Sequence, residues 1–174
     1  DTEVSIEAEK VLVGRDIEET ADFKFNLYYV TASGAEQLEQ TVGLTKAEDG
    51  TYEVKFEPKG YTRTVEEDYV IREAIPEDAI RVFQADGEMV WEKNRIRYDA
   101  TAHKVHVSVT DDQEGKLHGA VYYDDNAKAY DAEDNAEVPV FTNTVFEAKA
   151  NIEFHKEYFG NDTNARFAFM MMTT

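Results

Sequence analysis

Apolar and polar side chains alternate along most of this chain. Val4, Ile6, Ala8, Lys10 and Leu12 share one parity of the opening segment, and Ser5, Glu7 and Glu9 take the other. Phe23, Phe25 and Leu27 are interleaved with Lys24 and Asn26, and Tyr52, Val54 and Phe56 with Glu53 and Lys55. The same period runs through Tyr69, Ile71 and Glu73, through Val105, Val107 and Val109, and through Leu117, Val121 and Tyr123. A nearly continuous apolar stretch follows from Val138 to Val145. Side chains of an extended strand point to opposite faces in turn, so this pattern predicts half-buried β-strands. Turn-forming groups separate them: Ala32-Ser33-Gly34, Glu48-Asp49-Gly50, Asp86-Gly87, Glu114-Gly115 and Asp124-Asp125-Asn126. Short strands at this spacing predict a mainly β chain folded as a β-sandwich. The patterns of Glu36–Glu48 and Ile75–Glu92 are less regular and leave a short helix open in each.

An internal repeat organises the chain. Ile6-Glu7-Ala8-Glu9-Lys10-Val11-Leu12-Val13-Gly14 lines up with Ile152-Glu153-Phe154-His155-Lys156-Glu157-Tyr158-Phe159-Gly160, with Ile, Glu, Lys and Gly in register. Phe23-Lys24-Phe25 matches Phe167-Ala168-Phe169 after a small contraction. The expectation is one domain over residues 1–147 and the opening strands of a second, truncated repeat over 148–174.

Charge and composition narrow the function. The 174 residues carry 37 acidic and 18 basic side chains, a net charge of −19, with ten Phe, ten Tyr and no cysteine. The aromatic content supplies a core, so wholesale disorder is not expected. Phosphates would be repelled, which excludes nucleic acid and anionic lipid as default partners. No apolar run approaches the roughly eighteen residues of a membrane span. Without cysteine there are no disulfides, thiol nucleophiles or zinc–thiolate sites.

Three polar residues break the apolar parity. Lys10 shares a face with Ile6 and Ala8, Glu73 with Tyr69 and Ile71, and Asn143 with Phe141 and Val145. Each alone is explained by a side chain snorkelling outward or serving a turn. Three in one domain suggest chemistry. A lysine in a dry pocket loses its preference for the charged form and becomes an amine nucleophile. A carboxylic acid kept protonated by an apolar site polarises a carboxamide oxygen and carries protons to departing ammonia. The product is a Lys–Asn isopeptide bond, made once, so the chain is no enzyme acting on outside substrates.

The ordered motifs around these residues carry a family resemblance. Glu9-Lys10-Val11-Leu12-Val13-Gly14-Arg15, Phe23-Lys24-Phe25-Asn26-Leu27, Tyr69-Val70-Ile71-Arg72-Glu73, Tyr98-Asp99 with Val105-His106-Val107-Ser108-Val109, Gly115-Lys116-Leu117 and Phe141-Thr142-Asn143-Thr144 follow one another over residues 4–146. In this the chain resembles the streptococcal pilin isopeptide-linkage domain, a relative of the Cna B-type surface domains. The resemblance implies an Ig-like sandwich whose first and last strands are covalently tied. Lys10 would be the nucleophile, Asn143 the acceptor and Glu73 the acid–base catalyst, with Lys156 the lysine of the second repeat. The polar insertion Glu77–Asn94 departs from the family pattern, and Glu66 or Glu67 is the fallback catalyst if the Glu73 strand is misplaced. The setting implied is a Gram-positive cell wall or pilus, with neighbouring repeats or pilin subunits as partners.

Other features point less far. The acidic groups Asp111-Asp112, Asp124-Asp125-Asn126 and Asp131–Asn135 offer oxygen ligands for calcium without a twelve-residue loop spacing, and are read as solvated hairpin tips. His103 and His106 lie on opposite faces of one strand, which argues against a shared metal site. No cofactor is expected. Asn161-Asp162-Thr163 fits a glycosylation sequon and is read as a chance match. The alternative function is an adhesin module that binds a host ligand through loops such as 77–94, which hold Phe83 and Trp91.

Overall fold

The computed structural model describes residues 1–18, 21–133 and 137–147, together with residues 155, 157, 159, 160, 168 and 170. Among them the regular elements are all strands. In chain order these are β1 (Thr2–Val4), β2 (Glu7–Val13), β3 (Phe25–Val30), β4 (Glu36–Val42), β5 (Thr45–Lys46), β6 (Tyr52–Lys55) and β7 (Lys59–Tyr61). They continue as β8 (Val65–Glu73), β9 (Ile80–Phe83), β10 (Met89–Lys93), β11 (Ile96–Tyr98), β12 (His103–Asp111), β13 (Leu117–Tyr123) and β14 (Val140–Val145).

Two main sheets form the sandwich. One runs β5-β6-β2-β14-β11-β10-β9 and the other β13-β12-β8-β3-β4, while β1 and β7 make a small separate ribbon. The core lies between the sheets, where Ile6, Phe25, Leu27, Val54, Tyr69, Ile71, Val105, Val107, Val109 and Phe141 are buried. These are residues of the inward parity, so the alternation read from the sequence is the burial pattern of the strands. The opening segment departs from it in one respect. Val4 and Ala8 both face the core, but they sit on different strands, β1 pairing with β7 and β2 with β6.

Neither segment left open to helix forms one. Glu36–Val42 is edge strand β4, paired with β3 through a register shift at Leu27/Tyr28. Ile75–Glu92 contains β9 and most of β10, an antiparallel hairpin with Val82 opposite Val90 and Arg81 opposite Trp91. The 77–94 segment is therefore a strand hairpin with irregular stretches at 77–79 and 84–88, not a single loop. It extends the larger sheet through β11, and Asn94 and Arg95, at φ 51° and 64°, make the two-residue turn into that strand. Asn tolerates this left-handed conformation better than most residues, and two such residues in succession match the twist of a tight hairpin.

The pairing that matters most joins the two ends of the domain. β2 and β14 lie side by side and parallel, with Phe141 opposite Lys10 and Asn143 opposite Leu12. Among the described residues all the other strand pairs are antiparallel. Gly14 ends β2 at φ 106°, and a Cβ there would stand 3.1 Å from the Val145 Cβ. Glycine at this position lets the two strands stay close where they part.

Lys156, most of the second repeat segment and the Asn161-Asp162-Thr163 sequon lie outside the described residues.

Candidate functional site

The polar residues of the inward parity meet in the core. Lys10, Glu73 and Asn143 are the buried polar or charged side chains of the described residues, at 2%, 5% and 0% exposure. Lys10 and Asn143 come from the adjacent parallel strands β2 and β14, two register positions apart on one face. Glu73 comes from the end of β8 in the opposite sheet, where it stands across from Phe25 of β3. A carboxyl group from one layer thus reaches an amine and a carboxamide from the other.

The contacts are specific. Lys10 Nζ donates to Glu73 Oε2 at 2.9 Å, and Asn143 Nδ2 donates to Glu73 Oε1 at 2.7 Å. The Asn143 oxygen, Oδ1, accepts from the backbone N–H of Asp99 at 2.8 Å. Glu73 was expected to polarise that oxygen, but the carboxyl instead bridges the two nitrogens and a main-chain amide holds the oxygen. The fallback positions are elsewhere. Glu66 lies on the outer face against His106 and Ser108, and Glu67 accepts from Tyr61 and Tyr69.

Aromatic rings dry the site. Lys10 Nζ sits 4.8 Å from the Phe23 ring centroid and 5.8 Å from that of Phe25. Phe25 packs on Phe141 at 5.3 Å, and the His103 ring meets Phe141 edge-on at 4.8 Å. Burial lowers the Lys10 pKa below the ordinary lysine value, and the charge and hydrogen bond of Glu73 only partly oppose it. Burial likewise raises Glu73 above the carboxylate range, against the opposing pull of Lys10 and Asn143. Both shifts favour the neutral amine and neutral acid, because the uncharged forms lose least on leaving water.

Asp99 is the residue whose part sequence reasoning missed. It follows β11 directly, and its carboxylate accepts from the backbone N–H groups of Thr101 and Thr142, each at 2.9 Å. Burial pushes its carboxyl up, but a hydrogen bond from the Thr101 side chain, together with these two backbone bonds, outweighs it and holds the group below its usual range. The Tyr98-Asp99 pair was visible as a motif, but only strand pairing shows what its amide faces.

The two histidines part as the strand period requires. His103 Nδ1 lies 2.7 Å from Asp124, whereas His106 on the outer face sits between Asp68 at 2.7 Å and Glu66 at 2.8 Å. Among the described residues no three His, Asp or Glu side chains are grouped to hold a metal ion. No helix among them is long and apolar enough to cross a membrane.

Comparison with known proteins gives one result. The family model described as Spy0128-like isopeptide containing domain matches residues 6–145, well over half of the chain. No curated protein matches it. The matched span opens at Ile6, inside the inward-facing run that includes Lys10, and closes at Val145, just after Asn143.

Proposed function

The chain belongs to the Spy0128-like isopeptide containing domain family, and on that premise we propose that Lys10 and Asn143 form an intramolecular isopeptide bond that the folded domain makes itself. The family is a pilin-type structural family, and its domains belong to the cell surface, which supports an extracellular setting. Within that setting the module serves a stalk or pilus backbone on a Gram-positive cell, associating with neighbouring pilin subunits or repeats. Lys156 would be the equivalent nucleophile of a following repeat.

One observation carries this reading: a buried carboxyl hydrogen-bonded at once to an amine and to a carboxamide nitrogen. The neutral Lys10 amine attacks Asn143 Cγ. Glu73 takes a proton from Nζ through one oxygen and delivers a proton to Nδ2 through the other. The Cγ–Nδ2 bond breaks, ammonia leaves, and the Nζ–Cγ amide remains. Glu73 enters and leaves as the neutral acid, giving its O–H proton toward Nδ2 as its other oxygen takes one from Nζ. Folding supplies the proximity, since the partners come from opposite ends of the domain and are held in one dry pocket.

The location of the bond suits a load-bearing module. A pull on the N-terminal end of β2 and on the C-terminal end of β14 acts in opposite directions along parallel neighbours, so it shears their junction. The Lys10–Asn143 amide crosses that junction, and tension would pass through it without extending the body of the domain.

Intact mass tests the proposal. The mature chain should lack one ammonia, with Lys10 and Asn143 recovered in a single branched peptide after proteolysis. A Glu73→Gln chain should fold and keep its full mass. A parent chain of full mass, with the two residues in separate peptides, refutes the reading.

A further inference from the structure

We propose that the backbone N–H of Asp99 is the oxyanion donor of the bond-forming site, and that the Asp99 carboxylate is the clamp that aims it. This inference rests on the Lys10–Asn143 reading and adds the group that receives the charge developing on the acceptor.

The carboxamide has three surroundings to satisfy. Its nitrogen donates to Glu73, its carbon is the electrophile, and its oxygen is met by Asp99 N–H at 2.8 Å. When Nζ adds to Cγ, the electron pair of the C=O bond moves onto Oδ1. Glu73 is occupied between the attacking and leaving nitrogens, so the negative oxygen needs another donor. When the tetrahedral centre collapses, that pair re-forms the C=O bond as ammonia departs. A fixed N–H in a water-free site stabilises such an oxygen more than the ground-state carbonyl.

The amide is available because the sheet releases it. β11 pairs with β14 through Arg97 opposite Thr144 and stops at Tyr98. At the next residue the Asp99 side chain accepts the Thr142 N–H at 2.9 Å, leaving Asp99's own N–H directed at the Asn143 side chain. A second hydrogen bond from Thr101 N–H, also at 2.9 Å, fixes the carboxylate from the other side. Two anchors on one side chain therefore set the direction of the main-chain donor.

The test replaces the Asp99 residue by its α-hydroxy analogue, which turns the N–H into an ester oxygen and keeps the carboxylate. Full-length chain from a short pulse of cell-free translation is quenched at intervals, and the unbonded fraction is read by intact mass across a range of pH. Closure should slow by about 10²–10³-fold, the cost of one oxyanion donor, with an unchanged pH profile. Asp99→Asn retains the N–H and should close within about tenfold of the parent, since it weakens only the clamp.

An ester chain that closes as fast as the parent overturns the inference while leaving the Lys10–Asn143 bond in place. So does slowing accompanied by a shifted pH profile, because that signals a rehydrated pocket in which Lys10 and Glu73 have returned to ordinary values. A parent chain that never loses ammonia removes the underlying reading and this inference with it.

Discussion

Replacing Asn143 by alanine removes the acceptor and leaves the Lys10–Glu73 pair in place. Two costs can be worked from the structure. The amide between Lys10 and Asn143 would close a loop spanning most of the domain, and the chain-entropy treatment of cross-links assigns such a loop about 5 kcal/mol. The substitution also orphans the Asp99 N–H, which now donates to Asn143 Oδ1, at a cost of about 1–3 kcal/mol for a buried unsatisfied donor. The sum, about 6–8 kcal/mol, corresponds to a fall of roughly 20 °C in the thermal midpoint for a domain of this size. The assay is calorimetry on parent and Asn143→Ala chains, with intact mass measured on the same samples. A parent lacking one ammonia whose midpoint lies within about 5 °C of the variant would refute the energetic argument, because the tie would then constrain the unfolded chain hardly at all.

Three further outcomes are expected. Phe25→Ala removes a fully buried ring that packs on Phe141 and lies beside the Lys10 amine; it should cost about 3–5 kcal/mol and slow bond closure by admitting water, and closure at the parent's rate would contradict the drying role. Gly119→Ala places a Cβ 2.5 Å from Val4 Cγ2, so the buried Val4 side chain, and with it β1, must give way at a cost of about 1–3 kcal/mol, read as a lowered thermal midpoint; an unshifted melt would contradict it. His106 has its pKa raised chiefly by its hydrogen bond to Asp68 and also by Glu66, against the effect of burial. Its contribution to stability is therefore full below about pH 6.5 and is lost as pH rises through the folded value. The midpoint of the parent should fall slightly over that window and that of His106→Gln should not, the effect being small because the ring is 44% exposed; equal slopes would contradict the assignment.

Much of the fold was legible because strand parity is a local property. Val105, Val107 and Val109, or Phe25 and Leu27, announce their buried face without reference to any partner. The hairpin of β9 and β10 was harder to read. Its apolar residues are split between two partly solvated faces, and Ile80 and Phe83 are 68% and 72% exposed, so the alternation between buried and solvated positions is weak. The Asn94-Arg95 turn was missed for a related reason, since Arg carries no turn signature and takes its left-handed conformation from the hairpin that closes around it.

By itself the sequence determined that Lys10, Glu73 and Asn143 each face inward, because inward parity needs only the neighbours at plus and minus two. It also determined that no thiol could staple the domain. Tertiary structure decided which groups those side chains meet. The parallel pairing of β2 with β14 joins residues from opposite ends of the domain, and the packing of one sheet on the other sets Glu73 between the two nitrogens. The Asp99 amide became visible only there, since a backbone N–H has no signature in a sequence and acquires its direction from where a sheet ladder stops.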